Sequence, residues 1–78
     1  MVMDAPIPLR YRFAAQMLRL RLERGWSQEE LASRANLHRN YIGQVERGSV
    51  NLGLDNVERI AQALEVNVMT LLSEPGSA

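Results

Sequence analysis

The sequence predicts an all-α fold, one compact domain of five helices. Apolar residues recur every three or four positions through most of the chain, the periodicity of helices that bury one face. Short segments containing glycine or asparagine interrupt this pattern where one helix should end and the next begin. The 78 residues have room for one domain, which we place at 9–73 between flexible tails at 1–8 and 74–78.

Composition excludes several classes of protein. The chain has no cysteine for disulfides or thiolate metal sites, and its one histidine, His38, leaves no plausible zinc site or serine–histidine pair. We therefore expect no metal, no cofactor, no small-molecule ligand and no enzymatic activity. No apolar run approaches the roughly 20 residues of a membrane span, and no signal peptide is recognisable. These features favour a cytoplasmic protein without a membrane partner.

The formal net charge is zero, but the charges are unevenly distributed. Residues 1–50 contain eight arginines and five acidic residues, a net charge of +3, whereas residues 51–78 contain one arginine and four acidic residues, a net charge of −3. Arginine forms paired hydrogen bonds with phosphate and guanine, so the first 50 residues suit nucleic acid. Some arginines should be ordinary solvated surface residues, and we expect this of Arg24 and Arg59.

The first helix is predicted from about Leu9 to Arg24, with Gly25 as its C-terminal cap. Its core stripe has spacings i, i+4 and i+7 and consists of Phe13, Met17 and Leu20. A second stripe, Leu18 and Leu22, favours a broad core face over a partner-binding strip. After the glycine, Trp26 should pack on the following helix, against Leu31, rather than serve as a platform for a base.

Two short helices joined by a tight turn are predicted between Ser27 and Gly48. Ser27 and Glu30 have the spacing of a capping box. Asn36 tolerates a left-handed backbone and can redirect the chain between the helices. Ile42 and Val45 share one face of the second short helix, so its opposite face presents long polar side chains suited to base edges in a major groove.

This stretch resembles the helix-turn-helix of Cro and the lambda-type repressors, the XRE-type family. The resemblance rests on the spacing of Gln28, Leu31, Ala32, Ala35, Asn36, Leu37, Ile42 and Val45. It covers about residues 10–73 and implies a lambda-repressor-like DNA-binding domain that binds a palindromic operator in double-stranded DNA as a homodimer. The run LHRNYIGQVERGSVNL looks most like controller proteins of restriction–modification systems. A phage-type repressor is a further possibility within the same family.

The resemblance and the polar face together assign candidate DNA contacts. We expect bases to be read by Arg39, Asn40 and Gln44. Phosphate contacts are expected from Gln28, His38, Tyr41, Arg47, Ser49 and Asn51. Two of these have alternatives, since His38 could cap its helix and the Tyr41 side chain could be partly packed. In the family an arginine at the position of Arg21 pairs with a glutamate late in the recognition helix, here Glu46, so we expect a buried structural ion pair.

The last two helices are predicted at about Leu54–Leu64 and Val68–Ser73, with Asn67 capping the latter. In the fourth helix, Leu54 should share the buried face. Family relatives often dimerise through the closing helix and the loop before it, which suggests a dimer interface formed by Val66, Met69, Leu71 and Leu72. The alternative is that some of these residues only close the core. The rival function is a protein-binding antitoxin or adaptor, which the zero net charge and the strip formed by Leu18 and Leu22 favour slightly.

Overall fold

The computed structural model describes residues 7–74 and contains five helices in the predicted order. They are α1 (Leu9–Glu23), α2 (Gln28–Ala35), α3 (Arg39–Glu46), α4 (Leu54–Leu64) and α5 (Val68–Leu72). No strand occurs within these 68 residues. The all-α prediction is confirmed, whereas most of the predicted tails, residues 1–6 and 75–78, lie outside the described part of the chain.

The helix ends follow from local sequence. Ser27 caps α2 by accepting a hydrogen bond from the Glu30 amide at 3.0 Å, which is half of the predicted capping box. The Glu30 carboxylate bonds Arg34 instead of closing the other half. Asn67 caps α5 by accepting from the Met69 amide at 2.8 Å, as predicted. These caps satisfy backbone donors that would otherwise have no partner inside the helix.

The core is a single apolar cluster to which all five helices contribute. The side chains with at most 1% exposure are Phe13, Met17, Leu31, Ile42, Val45, Ile60, Leu64 and Leu71. Helix α1 packs against α3 and α5, and α2 packs against α3 and α4. The pair α2–α3 is therefore held from behind by α1 and α4.

Three apolar residues lie where the sequence did not place them. Leu18 and Leu22 are 37% and 60% exposed, so the expectation of a broad core face on α1 was wrong. The buried positions beside them belong to Gln16 and Arg21. Leu54 is 86% exposed because it is the first residue of α4, and the buried face begins one turn later at Val57.

Trp26 is partly buried and packs against the core. The Arg34 guanidinium lies 4.2 Å from the centroid of its ring, and that of Arg24 lies at 5.7 Å, a cation–π arrangement on a core-packed tryptophan. Arg24 also donates to the carbonyl oxygens of Leu20 and Leu64, joining the ends of α1 and α4. It is thus not the ordinary solvated residue that the sequence suggested.

Arg59 is exposed, and its Nη1 donates to the Asn36 carbonyl oxygen at 3.5 Å.

No helix within residues 7–74 has the length and apolar character needed to cross a membrane.

Candidate nucleic-acid interface

Helices α2 and α3 form a helix-turn-helix with a sharp, well-bonded turn. Asn36 adopts the left-handed conformation with φ of 57°, as its side chain permits. The Leu37 amide bonds back to the Ala32 carbonyl at 2.8 Å. Ala32 is 3% exposed and leaves room for the close approach of the two helices. Together these contacts fix the position of α3 relative to α2.

The outer face of α3 carries the three candidate base-reading residues. Arg39, Asn40 and Gln44 are exposed, while Ile42 and Val45, on the opposite face, are fully buried. The three side chains make no hydrogen bond or ion pair with any residue in the described range. Together with Gln28, Gly43 and Arg47 they line a concave surface that encloses a volume of about 260 Å³. Their donors and acceptors are therefore free and face a common space.

A buried polar network anchors the end of α3 to the two helices before it. Arg21 is 9% exposed and binds Glu46 through two hydrogen bonds, Nε to Oε2 at 2.6 Å and Nη2 to Oε1 at 3.2 Å. Its Nη1 donates to the Trp26 carbonyl at 2.7 Å. The Gln28 amide nitrogen donates to Glu46 Oε1 at 2.9 Å. Each charge of this ion pair is thus compensated and further hydrogen-bonded, which buried charges require.

Gln28 was expected to contact phosphate, and the structure adds an internal role for it. Because its amide nitrogen donates to Glu46, the side chain is held across α3 at the edge of the concave surface. The sequence around Gln28 does not indicate whether its side chain is free in solvent or bonded to another part of the chain. The signal is only visible in three dimensions, where Glu46 Oε1 lies between Arg21 and Gln28.

The other candidate phosphate contacts differ in how available they are. His38 caps α3, accepting from the Asn40 amide through Nδ1 at 3.1 Å. The Tyr41 hydroxyl is enclosed without a hydrogen-bond partner among the described residues, so this side chain has to rotate to reach a phosphate.

The remaining candidates lie at the end of α3 and in the loop after it. The Ser49 hydroxyl donates to the Gln44 carbonyl at 3.2 Å. Asn51 is exposed, and its side-chain oxygen accepts from Arg10 at 3.0 Å. Arg47 is exposed and unpaired within residues 7–74.

Comparison with known proteins decides the family. The family model described as helix-turn-helix matches residues 17–71. The chain belongs to this helix-turn-helix family. A hypothetical transcription factor from Neisseria meningitidis is 45% identical over 67 residues, which cover 86% of this chain and 63% of the relative. Control protein C.BamHI from Bacillus amyloliquefaciens is 43% identical over 65 residues, covering 82% of this chain and 80% of the relative.

A solved structure extends the comparison to three dimensions. The restriction–modification controller protein C.Esp1396I, as a tetramer in complex with its natural 35 base-pair operator, gives a TM-score of 0.76 at 36% identity. The match covers 85% of this chain and 87% of that one. The predicted fold and the resemblance to controller proteins are confirmed. The Neisseria relative is longer than the matched region, and this chain covers less than two thirds of it.

The predicted dimer residues of this helix-turn-helix protein are not equally accessible. Met69 is 69% exposed, and Val66 and Leu72 are half-buried. Leu71 is fully buried within its own chain, so its expected place in an interface was wrong. It closes the core against α1 and α4, which was the alternative for this helix. Val66, Met69 and Leu72 remain candidates for a surface between protomers.

Gly43 lies under two of the candidate DNA contacts in the helix-turn-helix. A Cβ added there would lie 3.3 Å from Arg47 Nη1 and 3.8 Å from Gln28 Oε1. We expect Gly43→Ala to stabilise the fold by about 0.5–1 kcal/mol, because alanine favours a helix interior more than glycine does. The same methyl group should displace the Arg47 guanidinium by a few tenths of an ångström and thereby weaken DNA binding. Thermal unfolding and a DNA titration on the same sample test whether stability rises while DNA affinity falls.

Gly53 provides the control for this prediction. It has a negative φ of −81° and nothing within 4 Å of an added Cβ. Gly53→Ala should therefore leave DNA affinity unchanged. Unaltered affinity of Gly43→Ala would show that the close approach of Arg47 and Gln28 is not used in binding.

Proposed function

We propose that this chain is a sequence-specific transcription regulator that binds double-stranded DNA as a homodimer on an operator with two-fold symmetry. The observation that carries the proposal is the free polar face of α3. Arg39, Asn40 and Gln44 are exposed and their side chains have no hydrogen-bond or ion-pair partner among residues 7–74, while the back of the same helix is fixed in the core. A rigid helix with free donors and acceptors fits the major groove.

The chemistry of each side chain indicates whether it would contact bases or phosphates. Arginine binds guanine through two hydrogen bonds, and asparagine or glutamine binds adenine in the same manner. Arg39, Asn40 and Gln44 would therefore read sequence. Phosphate contacts from Gln28, Arg47 and Asn51 would set the position of α3 without reading bases. Ser49 would add a phosphate contact once its hydroxyl turns from the Gln44 carbonyl to the phosphate. His38 would add a phosphate contact through the nitrogen that is not used in capping, and Tyr41 would add one after rotation of its side chain.

A dimer is the smallest assembly that matches a palindromic site. Two copies of α3 would enter successive major grooves about 34 Å apart. The surface formed by Val66, Met69 and Leu72 is our candidate for the contact between protomers. The controller C.Esp1396I binds its operator as a tetramer, which supports self-association on DNA for this relative of it. Control of a restriction–modification operon is the regulatory role that the relatives favour.

We further propose a cytoplasmic location and a role without enzymatic activity. We place the protein in the cytoplasm, with the DNA it regulates. The single histidine, His38, caps α3 through one ring nitrogen and lies on an exposed helix end. These features support a regulator without enzymatic activity.

Salt-dependent binding and sedimentation test the proposal together. We expect affinity for the duplex upstream of the protein's own gene to fall about 10³-fold to 10⁵-fold between 50 and 200 mM salt, as for roughly 6–10 neutralised phosphates. Sedimentation with and without that duplex should give a complex containing an even number of chains. Binding to no duplex at low salt would refute the proposal. It would favour a protein partner instead, and the exposed Leu18 and Leu22 would be the first surface to examine for one.

A further inference from the structure

The start of α1 lies against the loop that follows the recognition helix α3. Gly48 has a φ of +69°, and any Cβ there would overlap the ring of Tyr11. The aromatic ring thus rests directly on the backbone next to Arg47. This contact brings the first turn of α1, where Arg10 lies, to the same end of the molecule as the loop residues Ser49 and Asn51.

Arg10 is held in place by Asn51. Its Nη2 donates to Asn51 Oδ1 at 3.0 Å, and both side chains are exposed. The partner is a neutral amide, so the bond orients the guanidinium without cancelling its charge. Because the Asn51 oxygen is occupied, its NH₂ group and the remaining nitrogens of Arg10 are donors available on one surface.

Most of the other arginines differ from Arg10 because they are bonded to a carboxylate or to a backbone carbonyl. Four arginines have a carboxylate partner, in the pairs Arg12–Glu74, Arg19–Glu23, Arg21–Glu46 and Arg34–Glu30. Arg24 and Arg59 donate to backbone carbonyls. Within residues 7–74, the arginines with neither kind of partner are Arg10, Arg39 and Arg47. Two of these three line the concave surface on α3.

We propose that Arg10 is a further DNA contact, which binds a backbone phosphate jointly with Asn51. The inference rests on the proposed function and extends the interface from α2 and α3 to the beginning of α1. A phosphate held by the guanidinium and the Asn51 amide receives charge-assisted bonds from a preorganised pair. Since Tyr11 fixes this pair next to the end of α3, the contact sets the position of α3 in the groove and reads no base.

Arg10→Gln tests the proposal, with Arg19→Gln as the matched control. Both substitutions remove one charge from an exposed position on α1, but Arg19 pairs with Glu23 rather than with the loop after α3. For Arg10→Gln we expect affinity for cognate and random duplexes to fall by the same factor, about tenfold. The log–log salt slope should become shallower by about 1 per protomer. Arg19→Gln should retain the wild-type slope.

A conservative variant separates the charge from the geometry. Arg10→Lys keeps the charge and should retain the slope while losing part of the affinity. An unchanged slope and affinity for Arg10→Gln in a protein whose wild type binds its operator would overturn the role of Arg10 alone. A change in the ratio of cognate to random affinity would also overturn it, because it would make Arg10 a base reader. Failure of the wild type to bind any duplex would instead refute the proposed function.

Discussion

Replacing Glu46 by alanine should lower the free energy of unfolding by about 3–5 kcal/mol, because it leaves the Arg21 charge buried without its partner. The two side chains are only 11% and 9% exposed, so water cannot take the place of the carboxylate without opening the structure. Gln28 loses its acceptor as well. For a domain of this size the melting midpoint should fall by more than about 10 °C. Thermal unfolding followed by circular dichroism measures it.

The exposed pair between Arg34 and Glu30 is the control for that experiment. Its single hydrogen bond, Nε to Oε2 at 2.7 Å, is nearly as short as the shorter of the two Arg21–Glu46 bonds, but both side chains are nearly half exposed. Glu30→Ala should cost less than about 1 kcal/mol, since exposed pairs contribute little. If Glu46→Ala and Glu30→Ala shift the midpoint equally, burial adds nothing to the Arg21–Glu46 pair and our account of the network is wrong.

Replacing Gln44 by alanine should reduce affinity for the operator far more than affinity for random DNA. A good bidentate contact discriminates by about 1–3 kcal/mol, and a symmetric dimer makes each contact twice, so we expect a loss of about 2–6 kcal/mol in specific binding. Arg39→Ala should behave in the same way. Stability should hardly change, because neither side chain bonds to residues 7–74. Competition titrations with cognate and random duplexes measure the ratio.

Gln62 is a matched control for Gln44. It is an exposed glutamine on α4, and it lines a different shallow surface beside Arg34 and Arg59. Gln62→Ala should leave both affinities at wild-type values. Should Gln44→Ala preserve the cognate-to-random ratio, Gln44 would be removed from the set of base readers.

Most of the fold was predictable from sequence because its signals are local. Ser27, Asn36 and Asn67 act at helix ends through bonds to residues two to four positions away, and each lies where the sequence placed it. The spacing of Ile42 and Val45 likewise determines which face of α3 is buried. Such signals need no knowledge of the other helices.

The wrong or missing predictions concern residues whose environment depends on bonds to distant parts of the chain. Leu22 follows the helical spacing of a buried residue, yet Arg21 is buried beside it because Glu46, 25 residues away, supplies a partner. The bond of Gln28 to Glu46 and that of Arg10 to Asn51 also join separated segments. Periodicity within one helix contains no information about these partners.

The residues of α3 divide into those bound to the fold and those that are independent of it, and this division has a consequence for engineering. Glu46 belongs to the buried network, whereas the side chains of Arg39, Asn40 and Gln44 make no hydrogen bond or ion pair with residues 7–74. New side chains at these three positions can therefore be screened as a library without rebuilding the protein around them. Under the proposed roles of these residues, a search for variants that bind a different operator starts with substitutions at these three positions.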